Sequence, residues 1–160
     1  MKTAVVFYSL DGNCAYVAEE IKSLINADIV RLRTTKEKKR SFIGNMLWGC
    51  GMVFLRKKPP LKPYVFDPSV YDLIIMGAPV WADSPAPPIY TFISETGITG
   101  KKIALFVCHA GGPGNALKKF IAKLDGNEIV SEAEFKDPAK NAGEETKRQI
   151  ADWVQGQILP

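Results

Sequence analysis

The segment Thr3–Ile25, TAVVFYSLDGNCAYVAEEIKSLI, decides the fold. Its first part, Thr3 to Tyr8, is an unbroken apolar run. A strand with one solvated face alternates apolar and polar residues, so an unbroken run marks a strand buried on both faces. From Asn13 the period changes. Val17, Ile21, Leu24 and Ile25 recur as one helical face, so Asn13 to Ile25 reads as an amphipathic helix. A buried strand that turns directly into a helix opens a βαβ unit, and parallel pairing follows.

The rest of the chain repeats that alternation. Leu73 to Gly77 (LIIMG) and Ile103 to Cys108 (IALFVC) are again continuous apolar runs. Asp28 to Leu32 and Ile129 to Phe135 read as strands that carry charges. Helical stretches fall near Pro87 to Glu95, Gly114 to Leu124 and Gly143 to Gln155, where Ile150, Trp153 and Val154 would pack the last helix. Right-handed crossovers then give a doubly wound parallel sheet with helices on both faces. The two charged strands belong at the edges, which sets the order of five strands as 2-1-3-4-5. The topological switch falls between the first and third strands, so a ligand is expected at their carboxyl ends. A single domain spanning 1–160 is expected, with an irregular insert at about 33–71.

Composition narrows the class. The chain has 160 residues, 46% of them hydrophobic and 24% charged, an ordinary globular balance. Three cysteines (Cys14, Cys50, Cys108) lack CxxC spacing, and one histidine cannot complete a Cys/His cluster, so no metal site is expected. The apolar run Met46 to Leu55 is ten residues, too short to span a bilayer. The apolar stretch after Lys2 meets Asp11 and Gly12 and is no secretory leader; a soluble, cytoplasmic protein is expected. Net charge is +4, unevenly placed. Between Lys36 and Lys58 seven basic residues against one acid give +6, which leaves −2 for the remainder. Attraction to an acidic partner therefore belongs to this segment, and no nucleic-acid motif accompanies it.

Three loops leave the carboxyl ends of the first, third and fourth strands. In Ser9-Leu10-Asp11-Gly12-Asn13-Cys14, small and polar residues meet a helix N-terminus, whose free N–H groups suit a phosphate. The alternative is that Asp11 or Asn13 only caps the helix. Gly77-Ala78-Pro79-Val80-Trp81-Ala82-Asp83 offers an indole face to a planar ring, unless Trp81 folds back on the core. His109-Ala110-Gly111-Gly112-Pro113-Gly114 lets backbone N–H groups approach a ligand edge, or serves only as a turn into a helix.

These segments resemble a known family. VVFYSLDGNCAYVAEEI (5–21) is similar to the phosphate loop of flavodoxins and flavodoxin-like proteins, whose pattern is Ser/Thr-x-Thr-Gly-Asn-Thr. LIIMGAPVWADSPAPPIYTFI (73–93) resembles the second flavin loop of the group with Gly-x-Pro-Val-Trp, and GKKIALFVCHAGGPGNALKKF (100–120) its fourth strand and third flavin loop. The resemblance runs from about 3 to 155 and omits the insert. It implies noncovalent FMN and electron transfer. By carry-over, Ser9, Leu10, Asp11, Gly12, Asn13 and Cys14 would hold the phosphate. Ala78, Pro79, Val80, Trp81 and Ala82 would line one side of the isoalloxazine, with Trp81 stacking. His109, Ala110, Gly111 and Gly112 would contact the pyrimidine edge.

Three departures stand out. Asp11 replaces a common Thr, and a carboxylate facing a phosphate is unfavourable, so its side chain is expected to point outward. Cys14 also replaces Thr; it is either a small filler or a helix N-terminal thiol of lowered pKa open to redox chemistry. The third loop lacks the aromatic that many flavodoxins stack on the second flavin face, which leaves that face to His109 or to a substrate.

No side chain in the loops reads as an essential acid or base, so no catalytic residue is assigned. The expected function is an electron carrier between redox proteins with acidic faces, monomeric or homodimeric. The alternative is an FMN-dependent NAD(P)H or quinone oxidoreductase. A flavin-free receiver-like domain is disfavoured, because the third strand ends Met76-Gly77-Ala78 without a phosphoacceptor Asp. The insert Ser41 to Lys58 is read chiefly as an amphipathic helix covering the sheet. A lid, a dimer contact, or a face for a membrane or acidic partner remain open.

Overall fold

The computed structural model describes residues 1–36, 42–55 and 57–158, with backbone alone for 42, 43, 45 and 46. Its order is β1 (Thr3–Tyr8), α1 (Asn13–Leu24), β2 (Ala27–Leu32), α2 (Phe42–Phe54), β3 (Leu73–Trp81), β4 (Ser84–Pro85), α3 (Pro87–Thr96), β5 (Lys102–His109), α4 (Ala116–Ile121), β6 (Glu128–Lys136) and α5 (Glu144–Trp153). The sheet runs β2-β1-β3-β5-β6, every one of these pairs parallel. This is the doubly wound order expected, with the charged strands β2 and β6 at the edges.

All six residues of β1 are buried, and the strand's period of two sends them to two cores. Val6 and Tyr8 join Ile74, Met76 and Leu105 under Ile89 and Phe92 of α3 and Phe120 of α4. Val5 and Phe7 join Ile75 and Phe106 under Val17 and Ile21 of α1 and Ile150 and Trp153 of α5. Gly77 has a packing reason, since a Cβ there would collide with the ring of Phe106.

Two features differ from the sequence expectation. The third strand does not stop at Gly77: it continues through Trp81 and turns back into β4, with Val80 opposite Pro85 and Trp81 opposite Ser84. The turn residues Ala82 and Asp83 lie at φ 44° and 61°. Both being positive matches the two-residue hairpin turn whose twist suits paired strands, at a cost that glycine would avoid. No glycine marks this turn, so the sequence hides it.

The insert is also organised. Thr34 bridges Leu61 in antiparallel fashion, and Thr35 N–H donates to the Pro60 carbonyl at 3.0 Å. Phe66 stacks on Tyr71 and meets Phe92 edge-on at ring separations of 5.4 and 5.1 Å. Thr91 Oγ1 donates to the Pro59 carbonyl at 3.0 Å. The helix expected here forms as α2, but it reaches beyond the sheet body to Trp81. A Cβ on Gly49 would lie 2.9 Å from that indole, so glycine is what lets helix and ring touch. Among the described residues no helix is long and apolar enough to cross a membrane.

Candidate functional site

Three loops converge at the carboxyl ends of β1, β3 and β5. The first begins at Ser9, which is 2% exposed, and its buried hydroxyl has no hydrogen-bond partner. A buried hydroxyl without a partner is costly, and a ligand oxygen at this position would satisfy it. Gly12 follows at φ 95° and precedes α1, with nothing near a Cβ placed there. This open cradle at a helix N-terminus fits an anion.

Asp11 does not simply point away. Its carboxylate accepts from the Asn13 N–H at 3.1 Å and from Asn13 Nδ2 at 3.0 Å. Asp11 thus caps one of the N–H groups that an anion would seek, and the capping and anion-binding readings meet in the same loop. Asn13 Oδ1 in turn accepts from the Ala139 N–H at 3.0 Å, which ties the loop to the chain after β6. Leu10 is half-buried and packs on the Tyr8 side of the core.

For Cys14 the structure separates the two readings. The thiol is fully buried beside Cys108, and burial first, then that neighbour, push its pKa well above the usual thiol value. A lowered pKa would need an exposed helix terminus, whereas this side chain faces the core between α1 and the sheet. Only its backbone remains for a ligand, and the small-filler alternative describes the side chain.

In the second segment Ala78 and Pro79 are buried strand residues, Pro79 lying opposite Cys108. Val80 and Trp81 are half-buried, and Ala82 is exposed at the hairpin tip. Trp81 meets Tyr8 and Trp48 edge-on, with ring centroids 5.6 and 5.8 Å away. It is a fixed wall held from both sides.

In the third segment His109 turns toward the β6 edge. Its Nε2 lies 2.6 Å from Glu134 Oε2, its side chain is 7% exposed, and the buried Nδ1 has no partner. The ring lines a polar cavity of about 580 Å³ between β6 and α5, away from Trp81. Ala110 is exposed, and Gly111 and Gly112 have open space where side chains would stand, with Gly112 at φ 132°. The loop's backbone is open to a ligand, while the imidazole is held at Nε2 by Glu134.

Two contributors are not among the site residues assigned from sequence. Arg31 on edge strand β2 donates from its guanidinium to the Ser9 carbonyl at 3.2 Å, placing a cation beside the first loop. Asp83 clamps the second loop to the third. Its carboxylate accepts from the Asn115 N–H at 2.7 Å, from Asn115 Nδ2 at 3.1 Å and from Lys119 Nζ at 2.9 Å. The Asn115 N–H foremost, then Lys119, lowers its pKa to about 2. A cation on an edge strand and an Asp within a turn were the available signals. Among the described residues no group of His, Cys, Asp and Glu could hold a metal ion.

The sequence model of the flavodoxin family matches residues 2–157. This chain belongs to the flavodoxin family. The fold agrees with solved structures. One is a Lactobacillus acidophilus flavoprotein in complex with FMN, 24% identical, with TM-score 0.73 over 88% of this chain and 95% of that one. A Bacteroides uniformis protein is 18% identical, with TM-score 0.82 over 96% and 97%. Oxidised flavodoxin 1 from Bacillus cereus is 20% identical, with TM-score 0.61 over 97% and 95%. Comparison with curated proteins gives no match. Family membership fixes the architecture, and the three loops of this member sit where its strands end.

Proposed function

We propose that this flavodoxin-family chain binds FMN noncovalently and carries electrons between redox proteins. The observation that carries the reading is the Ser9 hydroxyl, buried and without a partner at the head of an open glycine cradle. The phosphate would meet Ser9 and the backbone N–H groups of this loop other than that of Asn13, which Asp11 holds, with Arg31 supplying positive charge nearby. Trp81, with Val80 and Ala82, would flank the isoalloxazine. The backbone of Ala110, Gly111 and Gly112 would meet the pyrimidine edge, since His109 is engaged by Glu134. Bound FMN supplies the electron-accepting ring. The protein's part is to bind it, keep one face dry and control access. A carrier needs no acid or base at the ring, and Asp11, Asp83 and His109 are engaged by Asn13, Asn115 and Glu134.

A second reading is an FMN-dependent NAD(P)H or quinone oxidoreductase. It is favoured by the cavity of about 450 Å³ beside Trp48, which touches Trp81 and could admit a second reactant. The visible spectrum of freshly purified protein, followed by anaerobic NADPH, decides between them. Flavin absorption that persists with NADPH supports the carrier. Bleaching by NADPH alone establishes the reductase. A colourless protein that takes up no added FMN refutes both.

A further inference from the structure

The groove between α2 and the strap at 57–60 has a composition that FMN binding leaves unexplained. Its volume is about 450 Å³. Leu47, Trp48 and Met52 of α2, with Leu55 just beyond its end, form an apolar wall, and Leu47 and Leu55 are still 66% and 64% exposed. Lys36, Lys57 and Lys58 line the same groove, and among the described residues none has a carboxylate partner. Lys58 donates only to Ser94 Oγ, at 3.0 Å. Thr34, 1% exposed, also lines it, and its buried hydroxyl has no hydrogen-bond partner. Apolar walls, ammonium groups of one sign and an unsatisfied hydroxyl are the complement of one kind of molecule.

We infer that this groove binds an amphipathic organic anion, with its apolar body along α2 and its acidic group against the lysines. Burying the apolar body removes the exposed Leu47 and Leu55 surface from water. The acidic group would gain charge-assisted hydrogen bonds from lysines that have no ion pair among the described residues. An uncharged apolar ligand would leave them idle, and a cation would be repelled. The inference does not require FMN.

Laurate is the probe, titrated by calorimetry below its micelle concentration, with dodecyltrimethylammonium as the cationic control. Gly51 supplies the decisive variant. It lines the groove, and a Cβ there meets nothing within 4 Å, so Gly51→Leu projects a larger side chain from a position that has room for its first carbon. Leucine is also the better helix former, so α2 is retained. The expected result is saturable one-to-one laurate binding, weakened about tenfold or more by Gly51→Leu and again by Lys57→Glu with Lys58→Glu. The cation should not bind. Absence of saturable laurate binding, or equal binding of the cation, overturns the inference. So does laurate binding that Gly51→Leu leaves unchanged. If the protein then sediments with phosphatidylglycerol vesicles, the outer face of α2 is a bilayer-docking surface instead.

Discussion

At the residue scale, the first loop holds two opposing tendencies. Ser9 presents a hydroxyl with no partner, and Asp11 presents a carboxylate on the N–H of Asn13. A hydrogen bond to a charged group contributes about 1.5–3 kcal/mol, so Ser9→Ala should weaken FMN binding by roughly tenfold to a hundredfold. Asp11→Asn keeps the turn and removes the negative charge; it should strengthen FMN binding, most at low salt. Flavin fluorescence quenching on titration measures both, and a Ser9→Ala protein of unchanged affinity would place the phosphate elsewhere. The cysteines give a second test. Cys14 and Cys108 are buried and Cys50 is half-exposed, so native protein should release one fast thiol equivalent to a disulfide reagent, assigned to Cys50 by mass spectrometry. Rapid modification of Cys14 would contradict its position against Cys108.

At the scale of elements, the β3–β4 hairpin is the hinge of the site. It carries Trp81, turns at Ala82 and Asp83, and is fastened to the start of α4 by the Asp83 carboxylate. The carboxyl pKa is lowered from 3.8 to about 2, so the folded state favours the charged form. The stabilisation is therefore complete above the ordinary value of about 3.8 and is lost as pH falls toward 2. Asp83→Ala should lower the melting temperature at neutral pH, and the difference from wild type should narrow between pH 4 and 2. A difference independent of pH in that range would show that the turn's backbone, not the ionised clamp, matters. The existence of β3 was legible from LIIMG, but its extension to Trp81 was not. Pro79 and the glycine-free turn argue locally against a strand, and only pairing with β5 and β4 overrides them.

At the scale of the molecule, the positive charge is concentrated in the insert while the three loops carry two aspartates and no lysine or arginine. Lys38, Lys39, Arg40 and Arg56 lie outside the described residues, and Lys36, Lys57 and Lys58 line the groove beside α2. If this basic segment steers an acidic redox partner, Lys38→Glu, Lys39→Glu and Arg40→Glu together should slow partner reduction and flatten its dependence on ionic strength. Stopped-flow reduction across a salt series reads both effects. Rates that the triple variant leaves untouched would remove the insert from partner recognition.

The sequence alone determined the sheet. Unbroken apolar runs in β1, β3 and β5 and charged runs in β2 and β6 assign centre and edges, because burial on two faces is written in the residues themselves. It also determined where the three loops would gather, since right-handed crossovers leave one switch point. Side-chain direction was decided only by the tertiary structure. Whether Cys14 faces a ligand or the core, whether His109 reaches a flavin or Glu134, and what holds Trp81 in place depend on neighbours distant in sequence. Arg31 and Asp83 join the site for the same reason: each acts through a partner more than 20 residues away, at a distance that no local pattern encodes.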